Sequence, residues 1–295
     1  MTERAIRLGP AGLFAIATEP DLPTGAPTIL MLNAGNDWHV GPNRLWVDLS
    51  RRWAAAGFRC VRFDESGLGD SPPRPEKPAN LVRSPDAFDD VRDARFAVEP
   101  DDPTNVVLVG LCSGGYQALE DALVRPTRAI YAINPVLHFA PPELATGAMD
   151  PRRRICWPVS GLATTYRSWL PKRVRRRLRK LLWRATHLLN RDRGRDASNW
   201  LDQLRCDEVE VLVICGKDEA RPFGSAPQAR PDTTTKHDPI CIDVIEGLDG
   251  ALMPAWQRVA VARRLTDHLL DHFGRNDDSK MVERVSAGQA PDRSI

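Results

Sequence analysis

Residues 105–124 constrain the fold of this chain more than any other stretch. Asn105–Leu111 (NVVLVGL) is an unbroken apolar run of strand length, the pattern of a strand buried on both faces. It runs with no linker into Gly110-Leu111-Cys112-Ser113-Gly114, and Ser113–Val124 then carries helical spacing. A strand that becomes a helix within one residue must turn sharply, with strained backbone at the turn's centre. Small residues on both sides let strand and helix pack closely. The side chain at position 112 is then thrust out at the carboxyl edge of a sheet. A helix N-terminus beneath it favours a thiolate.

The remaining chain repeats this alternation. Ile6–Thr18 reads as an opening antiparallel hairpin. Thr28–Asn33, Phe58–Phe63, Ala129–Val136, Glu208–Cys215 and Ile240–Ile245 read as strands. Pro42–Ala56, a segment opening at Ser84 and running to Val98, and Met253–Phe273 read as helices, with Leu45, Trp46, Leu49 and Trp53 sharing one face of the first. Strands alternating with helices predict an α/β fold with a mostly parallel central sheet flanked by helices. The expected core is 1–139 plus 204–274. Residues 140–203 carry no strand signal and read as a helical cap insertion. Residues 275–295 are polar and aperiodic, a pattern of disorder. Ala220–Asp238, rich in Pro, Thr and Arg, reads as a loop.

Several motifs together resemble the α/β-hydrolase superfamily: Leu32-Asn33-Ala34-Gly35, Arg62-Phe63-Asp64 with Gly67-Leu68-Gly69-Asp70-Ser71, and the turn at 110–114. The run His39-Val40-Gly41-Pro42-Asn43-Arg44 with the Gly-Leu-Cys-Ser-Gly turn is similar to hydrolases of exopolysaccharide and secondary biosynthetic clusters. The resemblance implies Cys112 as nucleophile. It implies the Ser113 amide, with that of Gly35 or Asn36, as the oxyanion hole. It implies an acid at Asp218, with Glu219 beside it. Two other readings of the turn stay open: a cysteine that merely packs, and Ser113 as a nucleophile displaced by one position.

The family's histidine position falls on Gly250, in Glu246-Gly247-Leu248-Asp249-Gly250. Glycine moves no proton. A serine would be disabled by this loss, whereas a cysteine ionises more readily and depends less on a base. Of the six histidines, His39 and His138 follow strands at the expected catalytic edge and are the candidate bases. His187, His237, His268 and His272 read as surface or loop residues. The expected function is attack on an ester or thioester carbonyl. The alternative is a non-catalytic, hydrolase-fold binding protein that has lost its histidine.

Charge is uneven although the net value is only +2. Residues 151–195 hold fifteen Lys or Arg against one acid, Asp192. This basic cap would suit an anionic partner, a membrane surface, or a small-molecule or carrier-bound acyl substrate. Nucleic acid is not expected, since no recognition motif accompanies the patch. Cysteines and histidines read as scattered without metal-ligand spacing, so no metal and no cofactor is expected. The six cysteines form no CxxC pair, and no apolar stretch approaches the roughly 18 residues of a membrane span. A cytoplasmic protein, peripheral to a membrane at most, is the expectation.

Overall fold

The computed structural model describes residues 1–77, 79–80, 84, 86–136, 197–217, 219–220, 223 and 238–274. The expected cap, apart from its last residues, and the expected tail lie outside these. So does nearly all of the 220–238 loop.

The strands are β1 (Thr2–Leu8), β2 (Leu13–Glu19), β3 (Thr28–Met31), β4 (Cys60–Phe63), β5 (Val106–Leu111), β6 (Ala129–Ile133), β7 (Glu210–Cys215) and β8 (Ile240–Val244). They form one sheet in the order β1-β2-β4-β3-β5-β6-β7-β8. The β1–β2 and β2–β4 pairings are antiparallel and the other five are parallel. The described helices are α1 (Leu45–Ala55), α2 (Ala87–Val98), α3 (Ser113–Val124), α4 (Ala197–Cys206) and α5 (Ala255–Phe273).

The two-residue period of the strands divides the core between the faces of the sheet. Leu30, Leu32, Leu108, Ile130 and Val211 face one side, where they meet α2, α3 and α4 through Val91, Ala94, Ala118, Leu119, Trp200, Leu201 and Leu204. Ile29, Met31, Val107, Val109, Tyr131 and Leu212 face the other, covered by α1 and α5 through Leu45, Trp46, Leu49, Trp53, Val261, Leu265 and Leu269. Two buried indoles bind α1 in place. The Trp46 N–H donates to the Leu32 carbonyl at 3.1 Å, and the Trp53 N–H to the Thr266 hydroxyl at 3.0 Å.

The sheet and its flanking helices match the sequence reading. One boundary moves. Residues 197–203 belong to α4 rather than to an insertion, because Trp200 and Leu201 are buried in the core with Leu204. Polar residues around Trp200 hide that apolar face in the sequence.

Close approach fixes the turn after β5. A Cβ on Gly110 would overlap the backbone of Gly114, and a Cβ on Gly114 would overlap the Asn33 carbonyl. Neither neighbour is a flexible side-chain tip, so the clash has no cheap relief. Gly110→Ala should lower stability by roughly 3 kcal/mol or more, read as a fall in the denaturant midpoint. An unchanged midpoint would contradict this packing.

Candidate active site

Cys112 stands between β5 and α3 with φ 54° and ψ −111°. A non-glycine residue held there costs of order 1–3 kcal/mol, and the surroundings must hold it in place. They do so through the backbone. Its N–H donates to the Ile133 carbonyl at 2.9 Å, and its carbonyl accepts from Tyr116 and Val136 at 3.2 Å each. The thiol is half-buried and packs beside the core cluster that includes Ala34 and Leu111. It is therefore reachable, and not the inert core cysteine that Cys60 and Cys215 are. Burial pushes those two thiols far above the usual range, Cys215 to about 12.

Ser113 does not fit the displaced-nucleophile reading. It is 3% exposed, and its hydroxyl accepts the Gly35 N–H at 2.6 Å. This bond ties the loop after β3 to the turn, and it engages the Gly35 amide. The Ser113 amide, in the first turn of α3, has no intrahelical partner by construction. Neither it nor the Asn36 amide has a hydrogen-bond partner among the described residues. The Gly35 amide is thus engaged, while those of Ser113 and Asn36 are not.

The loop after β3 also carries His39. Its Nδ1 lies 2.8 Å from Oδ2 of Asp64, and its backbone N–H donates to Oδ1 of the same carboxylate at 2.5 Å. Asp64 is fully buried and also accepts from the Asp70 amide at 3.0 Å and the Asn33 side chain at 3.4 Å. Gly69, at φ +50°, is needed here because a Cβ would run into that carboxylate. Phe14 packs on the imidazole at 5.1 Å between ring centres. When Nδ1–H donates to Asp64, the proton-accepting position is Nε2, the arrangement of a histidine general base. Asp64 follows β4 and Cys112 follows β5, with β3 between them. His39 itself lies in the loop after β3, the strand that pairs directly with β5. The sequence assigns Asp64 no role, although an acid directly after a buried strand and followed by Gly-x-Gly is a signal for one.

The opposite flank is organised by Asn134, 2% exposed. Its side chain donates to the Asp249 carbonyl and accepts from the Gly216 amide, both at 2.9 Å. It thereby joins the loops after β6, β7 and β8. A Cβ on Gly250 would meet nothing within 4 Å among the described residues, so a side chain has room there. Glu219 folds back against Gly216. Asp218 and His138 lie outside the described residues, as do His187 and His237. His268 and His272 lie far from the turn, towards the end of α5.

The family model of the alpha/beta hydrolase family matches residues 11–279, and the chain belongs to that family. No curated protein matches it. Among solved structures it is similar to the α/β hydrolase GrgF from Penicillium sp. sh18, at 16% identity and a TM-score of 0.56, over 92% of this chain and 99% of that one. It is similar to an alpha-beta serine hydrolase homologue from Coxiella burnetii, at 12% and 0.52, over 91% and 97%. It is also similar to a lidless α/β serine hydrolase from Xanthomonas campestris, at 14% and 0.51, over 94% and 97%. At these identities the likeness establishes the fold. Among the described residues no helix is long and apolar enough to cross a membrane.

A second carboxyl, Glu65, lies beside Asp64 at 4% exposure. Burial pushes it up to about 8, hydrogen bonding from Gln117 opposes this, and the charges of Asp90 and Asp64 add to it. Between its ordinary value of 4.5 and about 8 the folded chain holds this proton and the unfolded chain does not. Stability therefore falls as pH rises through that window. Glu65→Gln should be more stable than the parent at pH 8, by roughly 2–4 kcal/mol, with the gap closing towards pH 4.5. Thermal unfolding across pH checks this, and a gap that widens towards acid would refute it.

Proposed function

We propose that this chain is an acyl-transfer hydrolase that cleaves an ester or thioester through Cys112. The observation that carries the reading is a reachable cysteine held in strained backbone at the start of α3, where a hydrolase fold presents its nucleophile. The Cys112 sulfur attacks the carbonyl carbon. The amides of Ser113 and Asn36 receive the oxyanion, each such donor contributing roughly 3 kcal/mol. The bond to the leaving oxygen or sulfur breaks, the leaving group takes a proton, and water then releases the acid from the acyl-enzyme.

In this reading His39, oriented by Asp64, replaces the histidine missing at Gly250. Its Nε2 would take the proton from the thiol and return it to the leaving group. Asp218 and His138, which follow β7 and β6 in the sequence, are the competing acid and base. The basic segment 151–195 supports an anionic or carrier-bound acyl donor as the substrate class. The motif style supports a biosynthetic rather than a digestive role.

Cys112→Ala should abolish turnover of acyl thioesters and p-nitrophenyl esters, along with the acyl adduct seen by intact mass. His39→Ala should lower kcat by roughly 10²-fold or more without unfolding the chain, while His138→Ala leaves most activity. Full activity in Cys112→Ala would sink the enzyme reading. Full activity in His39→Ala would move the base elsewhere.

A second reading, a non-catalytic binding protein, is favoured by one observation: the empty space at Gly250. Under it the parent forms no acyl adduct with any donor, and Gly250→His, which the open space accommodates, creates the first measurable turnover. If the parent is already active, Gly250→His should change kcat far less than His39→Ala does.

A further inference from the structure

On the edge of the sheet opposite the turn, three side chains with metal-ligating chemistry converge. Glu210 opens β7, and His268 and His272 lie one turn apart near the end of α5. One ligand atom from each lies within 4.8 Å of the other two. Nε2 of His272 is 3.8 Å from Oε2 of Glu210. We propose that Glu210, His268 and His272 bind a divalent d-block cation of the zinc type.

The chemistry of the donor set fits. Two imidazoles and one carboxylate form a common catalytic or structural zinc set, and imidazole selects zinc, nickel and copper over magnesium and calcium. The i, i+4 spacing puts both rings on one helix face.

Outer partners also hold both rings. The Nδ1 of His272 lies 2.9 Å from the backbone carbonyl of His268, which only a protonated Nδ1 satisfies as a hydrogen bond. The Nε2 of the same ring faces Oε2 of Glu210 at 3.8 Å. The Nδ1 of His268 lies 3.1 Å from the hydroxyl of Tyr131, whose ring packs edge-on against it. Carbonyl or hydroxyl anchoring of a ligating imidazole is the usual outer support of such sites. Glu210 and His272 are each about one-quarter exposed, at 22% and 24%, so an ion can enter from solvent.

The two rings lie stacked, 4.0 Å apart and 11° from parallel. Parallel lone pairs do not meet on one ion, so binding has to splay the rings. The cation would join the last turn of α5 to the start of β7. Its effect falls on stability, and the site is separate from the chemistry at Cys112.

The test is titration of the full chain with Co²⁺, read by visible absorption, by histidine-ring NMR and by thermal unfolding. The expected result is one equivalent bound, with no thiolate charge-transfer band. Shifts should appear at the rings of His268 and His272, and Tm should rise by roughly 5 °C at a hundredfold excess over Kd. His272→Ala and the isosteric Glu210→Gln should each weaken Kd by at least tenfold while leaving the metal-free Tm near the parent's. No binding would overturn the proposal. So would a thiolate charge-transfer band, or an unchanged Kd in both variants.

Discussion

The close passage of Gly110 over Gly114 is the constraint on which the rest of this molecule depends. It lets α3 start in the residue after β5 ends, and it forces Cys112 into backbone that a cysteine does not choose. Everything that holds the residue there is main chain. Strand β6 takes its N–H, and the residues after β6 and the first turn of α3 take up its carbonyl. The strain is thus borne by the middle of the sheet, where β5 is buried along its whole length. Bending the side chain away from the carboxyl edge would mean unpairing that centre.

Around this fixed point the site is asymmetric. On the β4 side the polar groups are dense and mutually satisfied. Asp64 collects the backbone and ring of His39, the Asp70 amide and the Asn33 side chain. Asn33 in turn accepts from the Glu65 amide at 2.6 Å. On the β8 side Asn134 knits the loops together, and Gly250 leaves open space beside them. In the proposed function, with glycine at position 250, the site needs either a nucleophile that depends little on a base or a base from elsewhere. A cysteine supplies the first, and the His39–Asp64 pair is built as the second would be.

Much of this was legible in the sequence. The buried run at 105–111 and the glycines of the turn announce a strand passing directly into a helix, because no other local structure places small residues at those offsets. The apolar face of Pro42–Ala56 announces α1. What the sequence conceals are pairings between distant segments. Asp64 reads as one more acid until the loop after β3 folds over it. Asn36 and Gly35 stay equivalent until the Ser113 hydroxyl takes one of the two amides. His268 and His272 stand four residues apart on a helix, and Glu210 joins them only through the packing of α5 against β7. The start of α4 was missed because its apolar face is interrupted by polar residues.

The proposed function makes Cys112 the nucleophile, and the chain carries its own reference in the exposed thiol of Cys206. The most direct measurement is competitive alkylation at neutral pH under limiting iodoacetamide, quantified by peptide mapping. An activated nucleophile should be labelled well ahead of Cys206 although it is the less exposed of the two. Labelling of Cys112 that lags behind Cys206 would contradict the account and leave the fold as a binding scaffold.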